Sequence, residues 1–227
     1  MEMVVFVEQG DVGTSLANIL SRVFPAQNVT AIAVLIFSFL SPIGTGVHFS
    51  PLQCAVVGIT TMVLAPGIPL AYALWKGIVS FNRTEKEKRH TFYVIGLAGY
   101  GLASLIFAYH SSTIMLLASF SYFFVTLACM LINFKWKISV HTAGIGGPAT
   151  ALTYVYGLPG AAFFILAVAL VWARVKLRAH TLPQAATGLL LSSLITLVVC
   201  FLLYPYWNPA FLASSFISRL ISTLIHP

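Results

Sequence analysis

Between residues 28 and 204 this chain is a succession of seven apolar runs, and few architectures can bury so many in series. They cover residues 28–46, 52–75, 91–109, 112–134, 138–157, 159–175 and 183–204. A helix that crosses the hydrocarbon layer of a bilayer needs about 20 residues, slightly fewer when interfacial side chains anchor its ends. The runs therefore read as membrane helices. Pro66 and Pro69 should kink the second, because each removes a backbone donor from a helix interior, and the two short runs near His141 can fall below full spans. The expected fold class is an all-α integral membrane protein, a bundle of six to seven transmembrane helices with amphipathic helices at both termini.

Composition agrees with that class, since 59% hydrophobic and 7% charged residues exclude a soluble domain of 227 residues. The net charge of +7 lies between apolar runs rather than on a polar face, which favours membrane topology and an anionic ligand over nucleic acid. Cys54, Cys129 and Cys200 sit singly in apolar sequence, so neither a disulfide framework nor a zinc site is indicated.

The ends differ from the middle. Residues 1–27 form an N-terminal tail that lacks the basic start and apolar core of a signal peptide and carries Glu2, Glu8 and Asp11, so it should stay on the mature protein. Within it Leu16, Ile19, Leu20, Val23 and Phe24 recur at helical spacing opposite Ser15, Asn18 and Arg22, which predicts a short interfacial helix. At the other end, residues 205–227 set Leu212, Phe216, Leu220 and Leu224 against Ser215, Arg219, Ser222 and Thr223, a second interfacial helix. Residues 28–204 form the transmembrane domain between them.

If each run crosses once, the loops at 76–90, 135–141 and 174–184 open on one face of the membrane. The hairpins at His110–Ser111 and at Gly157–Leu158 turn on the other. Ten of the twelve Lys and Arg residues lie in those three loops, and by the positive-inside rule that face is cytoplasmic in a multi-pass protein of the cell membrane. The rule explains the cations. It does not predict the two histidines, His141 and His180, that arrive with them.

The inventory restricts the chemistry. Asp11 is the only Asp, and Glu85 and Glu87 are the only Glu residues beyond the N-terminal tail, so a magnesium site built on carboxylate clusters is excluded, and a proton or cation transporter with acidic groups in its spans is unsupported. Anion chemistry run by Arg, Lys and His remains. Guanidinium forks and helix-start N–H groups hold a phosphate without a metal or other cofactor. One imidazole can attack the phosphorus, and a second can protonate the leaving oxygen.

Two stretches supply these parts. In Trp172 to Gly188, WARVKLRAHTLPQAATG, Arg174 precedes His180 by six positions and Gln184 follows it by four, next to a helix start at Pro183. In the second loop Ser139 and His141 lead into a helix rich in Gly and Ala, where Ser139 is placed to cap the helix or to meet a phosphate. The bland reading of both is a cytoplasmic loop whose cations only set topology.

Arg174, five residues, His180, three residues, Gln184, and then Gly188 resemble the third motif of the type 2 phosphatidic acid phosphatase superfamily, arginine-x5-histidine-x3-aspartate followed by glycine. Ser139-Val140-His141 is similar to its second motif, serine-glycine-histidine. The resemblance covers about residues 76–204. It implies His180 as nucleophile, His141 as general acid, and Arg174 and Ser139 as phosphate ligands. The family's first motif, lysine-x6-arginine-proline, is not reproduced: Arg89 is the best match to its arginine, followed by His90 in place of proline, and Lys86 or Arg83 stands for its other cation.

Gln184 occupies the place of the family's aspartate. Glutamine can accept a hydrogen bond from His180 and hold its tautomer, but it cannot offset a developing imidazolium by charge. In a protease triad, neutralising the acid costs roughly 10⁴ in rate. The implied activity is a metal-independent phosphohydrolase acting through a phosphohistidine, on phosphatidic acid or on a polyprenyl phosphate or diphosphate. Two other classes compete with it, an idle lipid-phosphate-binding protein and a small transporter or scaffold.

Overall fold

A computed structural model describes residues 12–79 and 89–203, and all the regular structure among them is helical. The α-helices are α1 Val12–Val23, α2 Ala26–Phe39, α3 Pro51–Gly58, α4 Ala65–Trp75, α5 His90–Tyr109, α6 Thr113–Asn133, α7 Val140–Tyr156, α8 Leu158–Lys176 and α9 Leu182–Leu203. A π-wound stretch, Ile59–Leu64, joins α3 to α4, so that Pro51–Trp75 is one helix of 25 residues. Pro66 and Pro69 withhold two backbone donors, and the turn just before them is wound wider. Ser50 starts the helix with a full capping box, its hydroxyl accepting from Gln53 N–H while the Gln53 side chain accepts from Ser50 N–H.

Among the described residues, five helices are long and apolar enough to cross a membrane: Pro51–Trp75, α5, α6, α8 and α9. A sixth is obtained if α1 and α2, bent by 53° at Pro25, count as one span. Six of the expected six to seven spans are met if that pair is one span, and two of the apolar runs hold shorter helices. The run at 28–46 holds only the 14 residues of α2, and the run at 138–157 holds the 17 residues of α7. Helix α7 is short and rich in Gly, Ala and Thr because it does not need lipid solubility: thirteen of its seventeen residues are buried against α2, α6, α8 and α9.

Close approach makes that possible. A methyl on Gly146 would collide with Ser192 Oγ and stand 2.7 Å from Leu189 O of α9. On Gly160 it would collide with Leu152 O of α7. The turn from α7 to α8 passes through Gly157 at φ 68°, ψ −136°, a conformation that favours glycine. In a bilayer, where hydrophobicity does not drive helices together, such small-residue contacts supply the packing.

The N-terminal helix is the short amphipathic one expected. Helix α1 exists, but it leans on α8, burying Ala17 and Ser21, and Leu20 and Phe24 join a cluster with Val29, Ile145, Ala167 and Leu170. Leu16, Ile19 and Val23 remain exposed. Residues 1–11, Arg83, Lys86 and the second interfacial helix at 205–227 lie outside the described residues.

The two ends of the bundle gather different loops. At one end Val47 N–H donates to His110 O (2.8 Å), joining the α2–α3 connection to the α5–α6 hairpin. At the other, Arg89 Nη1 donates to Ile138 O (3.2 Å) and Lys137 Nζ to Ala179 O (3.3 Å). The three polar loops therefore converge, as counting crossings anticipates.

Candidate functional site

The site is built where α7 and α9 begin. Ser139 is the N-cap of α7, its hydroxyl accepting from Thr142 N–H at 3.4 Å. Its own N–H donates to Gln184 O (3.3 Å), and Thr142 Oγ1 donates to Ala185 O (2.8 Å), so two bonds fasten the start of α9 to the start of α7. Gly188, nearly two turns into α9, lets them approach: a methyl there would stand 2.5 Å from Thr142 Oγ1 and 2.6 Å from Ser139 O.

The connection from α8 to α9 folds around the end of α8. Ala179 N–H and His180 N–H both donate to Arg174 O (3.1 and 3.3 Å), and Arg178 takes a left-handed φ of 51° to make that turn. Arg174 is thereby only 1% exposed and His180 6%. Both line a cavity of about 180 Å³, together with His141 from α7 and Arg89 from the start of α5. Three segments far apart in sequence thus deliver two histidines and two arginines to one space.

Its electrostatics are positive. Burial, then Arg89, Arg174 and Lys137, push the His180 imidazole down to about 3, with the Gln184 amide pulling weakly the other way. His180 is neutral at physiological pH, the form in which imidazole has a lone pair to donate. Burial and the same two arginines also lower Lys137. An anion entering here meets a field that favours it.

Beyond the cations the lining turns apolar. Tyr93, Gly96 and Tyr100 of α5 face Tyr122, Val125 and Cys129 of α6, and Leu70 and Leu74 of α4 close one side. The cavity has the shape of an amphiphile, with a cationic end and an apolar limb. Among the described residues, no group of three or more His, Cys, Asp or Glu side chains is placed to hold a metal ion.

One expected role needs correction, and a second is shared with helix capping. Ser139 does not line the cavity; it is fully buried and occupied as a helix cap, so it does not serve as a phosphate ligand in this geometry. Gln184 does not meet His180 Nδ1, although its side chain acts on the imidazole. Its Oε1 accepts from Thr181 N–H (3.1 Å) while Gln184 N–H reaches Thr181 Oγ1 (3.5 Å), a capping box at the start of α9, and the buried His180 Nδ1 has no hydrogen-bond partner. A Thr-x-x-Gln at a helix start satisfies backbone donors first.

The apolar limb is absent from the sequence reading. Its signal lies in two stripes with steps of three and four, Tyr93-Gly96-Tyr100 and Tyr122-Val125-Cys129, each on one helical face. Lys137, counted there only as a topology cation, stands close enough to act on His180.

Compared with protein-family models, curated proteins and solved structures, the chain finds no match.

Proposed function

We propose that this chain is a divergent type 2 phosphatidic acid phosphatase-like enzyme that removes phosphate from a lipid phosphate without a metal, at the cytoplasmic face of the cell membrane. One observation carries the reading. His141, His180, Arg174 and Arg89 come from three separate segments to the cationic end of a cavity whose remainder is apolar. Topology-setting cations need no such convergence, and they need no histidines.

The order of events follows from the groups present. Arg174 and Arg89 hold the phosphate oxygens, and Lys137 adds charge from behind. A nitrogen of neutral His180 attacks phosphorus; the N–P bond forms as the P–O bond to the lipid breaks, and the leaving oxygen takes a proton from His141, which carries that proton once the negative charge of the bound phosphate offsets the arginines around it. Water then attacks the phosphohistidine, the N–P bond breaks, His141 recovers a proton from that water, and inorganic phosphate leaves. Gln184 acts as a positioning residue: its capping box fixes the first turn of α9 and so the loop that presents His180. With no carboxylate in that place, the imidazolium gains no charge partner from the motif, and a slow enzyme is expected.

The test is phosphate release by the purified protein from phosphatidic acid and from polyprenyl phosphates and diphosphates, with and without chelator. Turnover that survives chelator and is lost in His180→Ala and His141→Ala supports the proposal. Gln184 in the aspartate place favours a second reading, an idle pocket that binds lipid phosphate. Saturable vanadate binding without turnover on any of these lipids would select it.

A further inference from the structure

We infer that Tyr122 is the stop that sets how long a hydrocarbon chain the site accepts. This rests on the reading of the cavity as a seat for an anionic amphiphile. Tyr122 lines the far end of the 180 Å³ cavity and also lines a second void of about 10 Å³, enclosed by Ala33 and Phe37 of α2, Ala118 of α6 and Gly147 and Ala151 of α7. Val125 and Ala143 are the other residues common to both spaces. The phenol ring is therefore a partition. Behind it the wall is made of small side chains and a phenylalanine, and the void is of a size to hold about one water.

The partition is held from the cavity side. The Tyr100 ring stacks on Tyr122 with centroids 5.3 Å apart and planes inclined by 29°, and both rings are at least nine-tenths buried. Such a pair resists rotation because either ring moves only by displacing the other. A chain running from the arginines down the limb meets a stacked aromatic wall. If the ring is cut back, the limb continues between α2, α6 and α7.

Each methylene taken from water into an apolar space is worth about fourfold in affinity. A graded series of n-alkylphosphonates, from two to ten carbons, converts limb length into a number, and these probes are not hydrolysed. Their binding to the purified full-length protein, measured by calorimetry, should tighten with each carbon and then level off where the chain reaches Tyr122. In Tyr122→Ala the levelling should come at a longer chain, and in Tyr122→Phe, which keeps the ring, at the wild-type length. Tyr122→Leu covers the case in which the alanine variant does not fold, and its levelling should also shift outward. Levelling at the wild-type length in the alanine or leucine variant, with binding intact, would overturn the assignment of Tyr122 while leaving the amphiphile site standing. Absence of binding at every length in the wild type would overturn the site itself, and Tyr122 with it.

Discussion

Replacing Gly188 with alanine separates packing from chemistry, because the new methyl meets backbone. Its Cβ would stand 2.6 Å from Ser139 O and 2.5 Å from Thr142 Oγ1. A carbon and an oxygen not joined by a bond rest at about 3.3 Å or more, so α9 must withdraw from the start of α7 by roughly 0.7 Å. The Ser139–Gln184 and Thr142–Ala185 bonds stretch with it. Overpacking of this kind costs about 1–3 kcal/mol, which at about 2–4 °C per kcal/mol for a chain of this size lowers the unfolding midpoint by roughly 2–12 °C. The same displacement draws His180 away from His141, and a misplacement of about 1 Å at a reacting centre costs about 10² in rate. The assay is thermal unfolding of the purified protein beside phosphate release. Gly101→Ala is the control, since its methyl would meet only the Phe123 ring at 3.5 Å and should hold or raise the midpoint through helix propensity. An unchanged midpoint in Gly188→Ala, or an equal loss in Gly101→Ala, refutes the reasoning.

Three more outcomes are expected. The folded-state value of His180, about 3, lies below the 6.5 of an exposed histidine, so the unfolded chain takes the proton first. Stability is whole above about pH 6.5 and falls as pH drops towards 3; unfolding midpoints across that window should slope less steeply in His180→Gln, and an identical slope would count against a buried neutral imidazole. Gln184→Ala should lower the midpoint through loss of the capping box, worth about 1 kcal/mol. Gln184→Glu should keep the cap and raise the pKa that governs His180, read as a shift of the acid limb of the pH–rate profile. For orientation, Lys135→Cys should react with an impermeant thiol reagent only from the cytoplasmic side and His48→Cys only from outside, the native cysteines being buried; labelling of the reverse pattern would invert the proposed topology.

The helices and their crossing order were legible because the apolar runs are long and the breaks between them carry charge. The convergence of Arg89, His141, Arg174 and His180 could be read from crossing parity alone. What escaped was decided by competition for partners. Ser139 and Gln184 carry side chains that suit a phosphate or an imidazole, yet both sit at helix starts, where unsatisfied backbone N–H groups are nearer and claim them first. The enclosure of α7 was not legible because a helix surrounded by protein and a helix facing lipid have similar composition when the enclosed one is made of Gly, Ala and Thr. The apolar limb escaped because tyrosines in a membrane run read as packing residues until two facing helices are brought together.

The enclosure of α7 also bears on how the protein is made. Helix α9 is the last described helix to leave the ribosome, and it is the one whose Leu189 and Ser192 cover the Gly146 side of α7 and whose first turn fastens Ser139. Until it arrives, Gly146 and Gly147 lack the Leu189, Ser192 and Thr196 that pack on them, and His180 has no helix start behind it. Synthesis and assembly of the site therefore end together: a nascent chain in the membrane has its cations and both histidines before it has a place for them to meet.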